Sequence, residues 1–310
     1  MNLQMSGWSS KVSRCAGDRQ WLSRAPTRLG LAPRSWRIMD PHPRCELRGW
    51  RACTRTLFAI IVMMSALLFA ETVSADEPSA LTRQHLQVLE QLAEQGDAES
   101  QFLLGQMHHQ GLGVPEDAAK ADRWFRLAAA QGHAEALFGL GALHFSENPS
   151  DSADLFRLAA EQGHAGAQLM LGTMYASGDA LQQDRIEAVR WFRLAAEQGD
   201  AHAQFRLGQA YFSGEGIPED YAESARWFSA AAQQAHAKAQ LALALAYATG
   251  RGVPEDDVAA YAWASVSAAQ GQEQAPELKE LVVERMTRPR IEEAQDLSRE
   301  YWDLYVLPFR

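Results

Sequence analysis

One nine-residue phrase governs what this chain can fold into. Trp191-Phe192-Arg193-Leu194-Ala195-Ala196-Glu197-Gln198-Gly199 has close copies at Trp124–Gly132, Leu155–Gly163, Trp227–Ala235 and Trp263–Gly271. A weaker copy ends in Leu92-Ala93-Glu94-Gln95-Gly96. The closing positions 96, 132, 163, 199, 235 and 271 lie 36, 31, 36, 36 and 36 residues apart. A fixed period of this size marks a stack of supersecondary units, none of which can bury its apolar face alone.

Within the unit from Asp97 to Gly132, the apolar residues after Ala98 recur at helical spacing. Gly111-Leu112-Gly113-Val114-Pro115 interrupts the helix, Asp117 is placed to cap a second one, and Gly132 ends it. Short connections make such helices antiparallel neighbours. The chain is therefore expected to be all-α, an α-solenoid of stacked antiparallel helix pairs. The expected units are 97–132, 133–163, 164–199, 200–235 and 236–271, after a leading helix or half repeat in 76–96 and before a helical cap in 272–310. In the cap, Pro276–Met286 and Arg290–Tyr301 have helical periodicity, and the apolar tail Tyr305–Arg310 is expected to dock.

The copies also define one another. Ala98, Ala134, Ala165, Ala201 and Ala237 open each first helix, and Leu-Gly recurs at 104–105, 140–141, 171–172 and 207–208 before becoming Leu243-Ala244. Glycine at that phase predicts close approach of two helix backbones. Trp124, Trp191, Trp227 and Trp263 share one phase and are expected to fill the gap between units. The unit 133–163 is five residues short and lacks the Gly-x-Gly turn. Asn148 with Pro149 at the first helical position still predicts a second helix there, and the shortening predicts a local bend.

Other first-helix positions change from copy to copy. One phase holds Glu99, Glu135, Gly166, His202 and Lys238; a second holds Leu103, Gly139, Met170, Arg206 and Ala242; a third holds Gln106, Ala142, Thr173, Gln209 and Leu245. Offsets of four and three put them on one helical face. Stacked helix pairs line an extended groove with one helix of each unit, so this face is the candidate partner-binding surface. Its candidate residues are Glu99, Leu103, Gln106, Met170, Thr173, His202, Arg206 and Gln209. The bland alternative is that varying positions are simply solvated.

The phrase A-x-x-x-L-G-x-x-Y-x-x-G-x-G-V-P-x-D…A-x-x-W-F-x-x-A-A-x-Q-G, best seen in Gly208–Tyr211, Gly214–Asp220 and Ala225–Phe228, resembles the Sel-one-like repeat, a tetratricopeptide-like family. The resemblance covers about residues 81 to 271. It implies a right-handed α-solenoid serving as a scaffold or adaptor for protein partners, without naming one. A cysteine-rich branch of that family is connected with β-lactam binding or hydrolysis, but its paired cysteines are missing from these repeats.

Three expectations concern location. Eleven Lys and Arg against three acidic residues precede Thr56, whereas from Asp76 onward eighteen basic residues face thirty-five acidic ones. The acidic part is expected to repel nucleic acid and anionic lipid. Leu57–Ala70 is a fourteen-residue apolar run after Arg48, Arg51 and Arg55, and Val73-Ser74-Ala75 follows it. That pattern predicts a secretory signal in 39–75, cleavage near Ala75, and a periplasmic or secreted protein, with a membrane anchor as the rival if the leader stays uncleaved. Residues 1–38, without periodicity, are expected to be a gene-model extension of that leader. Cys15, Cys45 and Cys53 all precede the apolar run, which leaves the repeats without a disulfide or thiolate.

Catalytic and metal motifs are not evident. His133, His164 and His236 stand where Asp97 and Asp200 stand in other copies, a capping position first. His108 and His144 stand where Tyr175, Tyr211 and Tyr247 stand, and are expected to pack. The Gly-x-Gly pairs recur at the repeat phase and follow no strand, so they are turns rather than dinucleotide loops. No Gly-x-Ser-x-Gly, Ser-x-x-Lys or His-Glu-x-x-His occurs. The expectation is a non-enzymatic protein-binding scaffold with no cofactor and no metal site; a binder of cell-wall glycan is the alternative, and a β-lactamase-like enzyme a remote one.

Overall fold

The computed structural model describes residues 80–310. The leader, its apolar run and all three cysteines lie outside the described residues. Within them are thirteen α-helices and no strand. Helix α1 (Ala80–Glu94) leads into five pairs: α2 (Ala98–Gln110) with α3 (Ala118–Ala130), α4 (Ala134–His144) with α5 (Pro149–Glu161), α6 (Ala165–Ser177) with α7 (Arg185–Glu197), α8 (Ala201–Ser213) with α9 (Tyr221–Ala232), and α10 (Ala237–Thr249) with α11 (Asp257–Ala269). Helices α12 (Ala275–Val283) and α13 (Arg288–Tyr305) follow, with a 3₁₀ turn at Leu307–Phe309. From α1 to α11 each helix packs on its chain neighbours, and both closing helices pack on α11, so the fold is an all-α repeat solenoid.

Capping sets the boundaries. Asp97, His133, His164, Asp200 and His236 each accept a hydrogen bond from the backbone N–H three residues on, which supplies one of the orphan donors of a first helix. Asp117, Asp184, Asp220 and Asp256 do the same for second helices. Three of the caps are histidines, and each lies over a phenylalanine of the preceding unit: His133 on Phe102 at 4.9 Å, His164 on Phe138 at 4.5 Å, His236 on Phe205 at 4.7 Å between ring centroids. Where the preceding unit has Leu169 instead, the cap is Asp200. Burial holds His164 below the ordinary histidine pKa. Burial, helped by the charge of His202, lowers His236 to about 4.

The core differs from expectation in one respect. Trp191 and Trp263 are buried, but Trp124 and Trp227 are only half-buried. The constant core element is the next residue, Phe125, Phe156, Phe192 or Phe228, each buried. Its ring occupies the space above the Leu-Gly glycine: a Cβ on Gly105, Gly141, Gly172 or Gly208 would meet it at 2.5, 2.8, 2.7 or 2.7 Å. The glycine thus makes room for a ring more than for a second backbone. In the fifth pair both partners change together, to Ala244 and Ala264.

A buried polar seam joins the units as well. Gln101, Gln168, Gln204 and Gln240 donate from Nε2 to the carbonyls of Ala93, Ala160, Ala196 and Ala232, at 2.9 to 3.2 Å. Each accepts in turn from Gln131, Gln198, Gln234 or Gln270, at 2.6 to 2.9 Å. Side-chain amides buried this way need partners, and the seam supplies them.

The shortened unit loses residues from both helix and loop. Helix α4 has 11 residues where the other first helices have 13. Its connection to α5 is residues 145–148, against 111–117 in the first pair. Asn148 does cap α5 with Pro149 after it, but its side chain makes no cap hydrogen bond. At the far end, Trp263 is covered by Tyr301 and Tyr305 of α13, with ring centroids 4.4 and 5.4 Å away. Arg285 is paired with Asp257 at 2.6 Å. In the tail, Val306 is buried while Leu307 and Phe309 stay exposed.

Candidate functional site

Three successive first helices, α6, α8 and α10, together with parts of the second helices α7 and α9, line an open groove of about 1120 Å³. Thr173, Arg206 and Gln209 line it, joined by Lys238, Ala242 and Leu245 at matching phases one unit further on. The register follows from the caps. Each first helix starts immediately after its Asp or His, so equivalent residues fall on equivalent turns. Thr173 Oγ1 donates to the carbonyl of Leu169 at 2.8 Å. Arg206 and Gln209 are exposed, their side chains at the 3.5 Å limit of a hydrogen bond.

The other sequence candidates do not gather there. Leu103 is buried with Leu104 and Phe125 in the core beneath α1, so it is not offered to a partner. Gln106 is half-buried, and Glu99 is held at 3.2 Å by His133. Met170 packs against Phe156 and Met174. His202 is exposed and meets His236 edge-on at 4.8 Å. The groove therefore belongs to the third to fifth units, not to the whole stack.

Several lining residues are not visible from helix phase. Arg185, at the start of α7, reaches Glu215 of the next unit's loop at 3.8 Å. Arg251, from the loop after α10, lies over the Tyr221 ring at 5.7 Å, and Phe212 meets the same ring edge-on at 5.5 Å. These loops reach back because Gly216 and Gly252, each the second glycine of its turn, sit against the preceding unit. A Cβ on Gly216 would collide with the Arg185 carbonyl, and one on Gly252 with that of Tyr221. A recurring Gly-x-Gly was the available signal, though nothing in its spacing says that it docks on a neighbouring helix.

Among the described residues, His133, His164 and His236 cap helices and His144 joins an ion-pair cluster. His144 pairs with Asp122 at 2.5 Å and Arg126 bonds the same carboxylate at 2.7 Å. Burial alone would raise Asp122, but these hydrogen bonds outweigh it and hold its pKa below the ordinary value. This cluster ties α3 to α4, as Arg193 donating to the Tyr211 hydroxyl at 3.2 Å ties α7 to α8. Among the described residues no group of three or more His, Cys, Asp and Glu is placed to hold a metal ion. No helix among them is long and apolar enough to cross a membrane.

Comparison with known proteins addresses the repeat directly. A family model described as Sel1 repeat matches residues 98–133, 134–164, 165–200, 201–236 and 237–272. Among solved structures, a Sel1 repeat protein from Oxalobacter formigenes is 28% identical, with a TM-score of 0.61 over 79% of this chain and 99% of that one. A protective antigen of uropathogenic Escherichia coli, described as displaying an SLR fold, is 27% identical with a TM-score of 0.52 over 73% of this chain. This chain spans only 57% of that antigen. No curated protein matches the sequence.

Proposed function

The chain belongs to the Sel1 repeat family, and from that premise we propose that it is a non-catalytic scaffold that holds a protein partner in the groove across α6, α8 and α10. Sel1 repeats form a scaffold fold typical of protein–protein interaction. The observation that carries the reading is the contrast within each first helix. Positions facing the core repeat almost unchanged, whereas Thr173, Arg206, Gln209, Lys238 and Leu245 differ in chemistry and line one continuous opening. Changing side chains at a constant spacing are how a stacked scaffold acquires a specific surface.

The location belongs to the same proposal. The apolar run 57–70 and Val73-Ser74-Ala75 support export and cleavage near Ala75, into the periplasm or beyond the cell. Amino-terminal sequencing of the cell-derived protein should begin near Asp76; an uncleaved leader would replace export with anchoring.

Affinity purification from intact cells after chemical crosslinking tests the groove. Wild-type protein should retain a discrete set of partners, and Arg206→Glu with Gln209→Ala should lose at least one. Retention of every partner by the double variant would overturn the choice of surface. A second reading, binding of cell-envelope glycan, draws on the exposed Phe212 and its contact with Tyr221 in the groove. Sedimentation with purified sacculi separates the two: it should leave this protein in the supernatant.

A further inference from the structure

Resting on that reading, we infer that the occupant of the groove is an extended acidic peptide segment carrying an apolar side chain. The region from Asp76 onward has eighteen basic and thirty-five acidic residues, yet the groove lining reverses the balance. Arg185, Arg206, Lys238 and Arg251 line it against Glu215 and Glu273. Arg185 and Glu215 are paired with each other. Arg206, Lys238 and Arg251 have no carboxylate within 4.0 Å among the described residues, so three cations face one unpaired acid.

The surplus has a direction along the stack. One first-helix phase reads Glu99 and Glu135 in the first two units, Gly166 in the third, then His202 and Lys238 in the last two. The neighbouring phase reads Leu103, Gly139, Met170, Arg206 and Ala242. Along these two first-helix phases the cations, Arg206 and Lys238, thus fall only where the groove is open. A negatively charged segment is repelled by most of this surface and admitted in one place, which gives specificity as well as attraction. Exposed apolar groups lie within the same opening: Phe212 is 42% and Leu245 45% exposed, both lining the groove. A peptide supplies acidic and apolar side chains at alternating reach, so one ligand satisfies both features.

Short fluorescein-labelled peptides with the intact protein test this. One probe alternates Asp and Glu with Leu and Phe; a second has Lys in place of each acid. The acidic probe should bind, weaken with added salt, and bind about tenfold or more worse to Arg206→Glu/Lys238→Glu. The lysine probe should not bind. Lys120→Glu/Arg123→Glu, in the first unit outside the groove, makes the same change in net charge and should leave affinity within about twofold. All four positions are solvent-exposed, so the folded state is retained and is checked by far-ultraviolet dichroism.

Absence of acidic-probe binding, equal binding of the lysine probe, or equal weakening by both double variants would overturn the inference. Binding of an anionic glycan in place of the acidic probe would do so too. If Arg206→Glu with Gln209→Ala loses a cellular partner while the acidic probe fails, the groove stands and the charge class falls. If the probe binds and no cellular partner is lost, the scaffold reading falls instead.

Discussion

The second and fifth units each lack what the other keeps. The second retains the ring-over-glycine contact, Phe156 on Gly141, but has Leu137 where the polar seam needs glutamine, and no Gly-x-Gly loop. The fifth retains the seam, Gln240 with Gln270, and the loop with Gly252 against Tyr221, but has Ala244 and Ala264 in place of glycine and phenylalanine. Both are folded helix pairs in one stack. No single one of these contacts is therefore present in every unit. In the fifth unit the closing helix also covers Trp263.

The largest effect expected from this comparison concerns the ring. Phe228→Ala in the fourth unit should destabilise by about 3–5 kcal/mol, the range for emptying a packed aromatic site. Gly208→Ala alone should destabilise by about 1–3 kcal/mol, because its Cβ would press on the Phe228 ring. The double variant copies Ala244/Ala264 and should be more stable than the two losses added together. Urea denaturation of the four proteins checks it; strict additivity would mean that the pair is not coupled.

Next comes the seam. Gln204→Leu copies the second unit, and should destabilise by about 0.5–1.5 kcal/mol by removing the amide bonds to the Ala196 carbonyl, which keeps its bond from the Gly199 N–H, and from half-buried Gln234. The second unit carries Leu137 at this position, and Gln162, its counterpart across the unit, is exposed to water. A Gln204→Leu variant as stable as wild type would show that the seam follows from packing and adds nothing to it.

An effect of similar size depends on pH. His236 caps α10 through its unprotonated Nδ1 and has a folded pKa of about 4, below the unfolded value of about 6.5. A depressed value means that the unfolded chain takes up the proton first. The cap's contribution is complete above pH 6.5 and is lost as pH falls toward 4, by about 1–2 kcal/mol after allowance for partial exposure. His236→Asn, which still caps without titrating, should flatten that part of the stability–pH curve. An unchanged slope would assign the effect to other groups.

The last concerns Ala235, which has φ 62° where five other closing positions carry glycine at φ 77° to 95°. Ala235→Gly should stabilise by about 1 kcal/mol, since alanine is strained in the left-handed region. Thermal denaturation would detect it, and a lower midpoint would contradict it.

Much of this was legible from within the sequence because the copies serve as their own alignment. Phase located the caps at Asp97, His133 and Asp117 and the helix starts at Ala98 and Ala134. Phase also picked out Thr173, Arg206 and Gln209. It did not separate an exposed from a buried member of one phase: Leu103 lies under α1, a helix that precedes only the first unit. Nor did it rank Trp above Phe correctly, because which of two adjacent rings faces a neighbour depends on how the units pack. The glutamines at 101, 168, 204 and 240 recur at one position, with their partners thirty residues later, and that spacing was the overlooked sign of the seam. Arg251 and Glu215 reach the groove through loops that dock on the preceding unit, a contact no periodicity encodes.

The central claim is that the first-helix face of the third to fifth units is the working surface. A photo-activatable crosslinker placed at Gln209 in the groove and, separately, at Leu158 on the exposed side of α5 tests it in living cells. The claim predicts a discrete protein adduct from position 209 that position 158 does not give. Adducts of equal yield from both sites, or from position 158 alone, would contradict it.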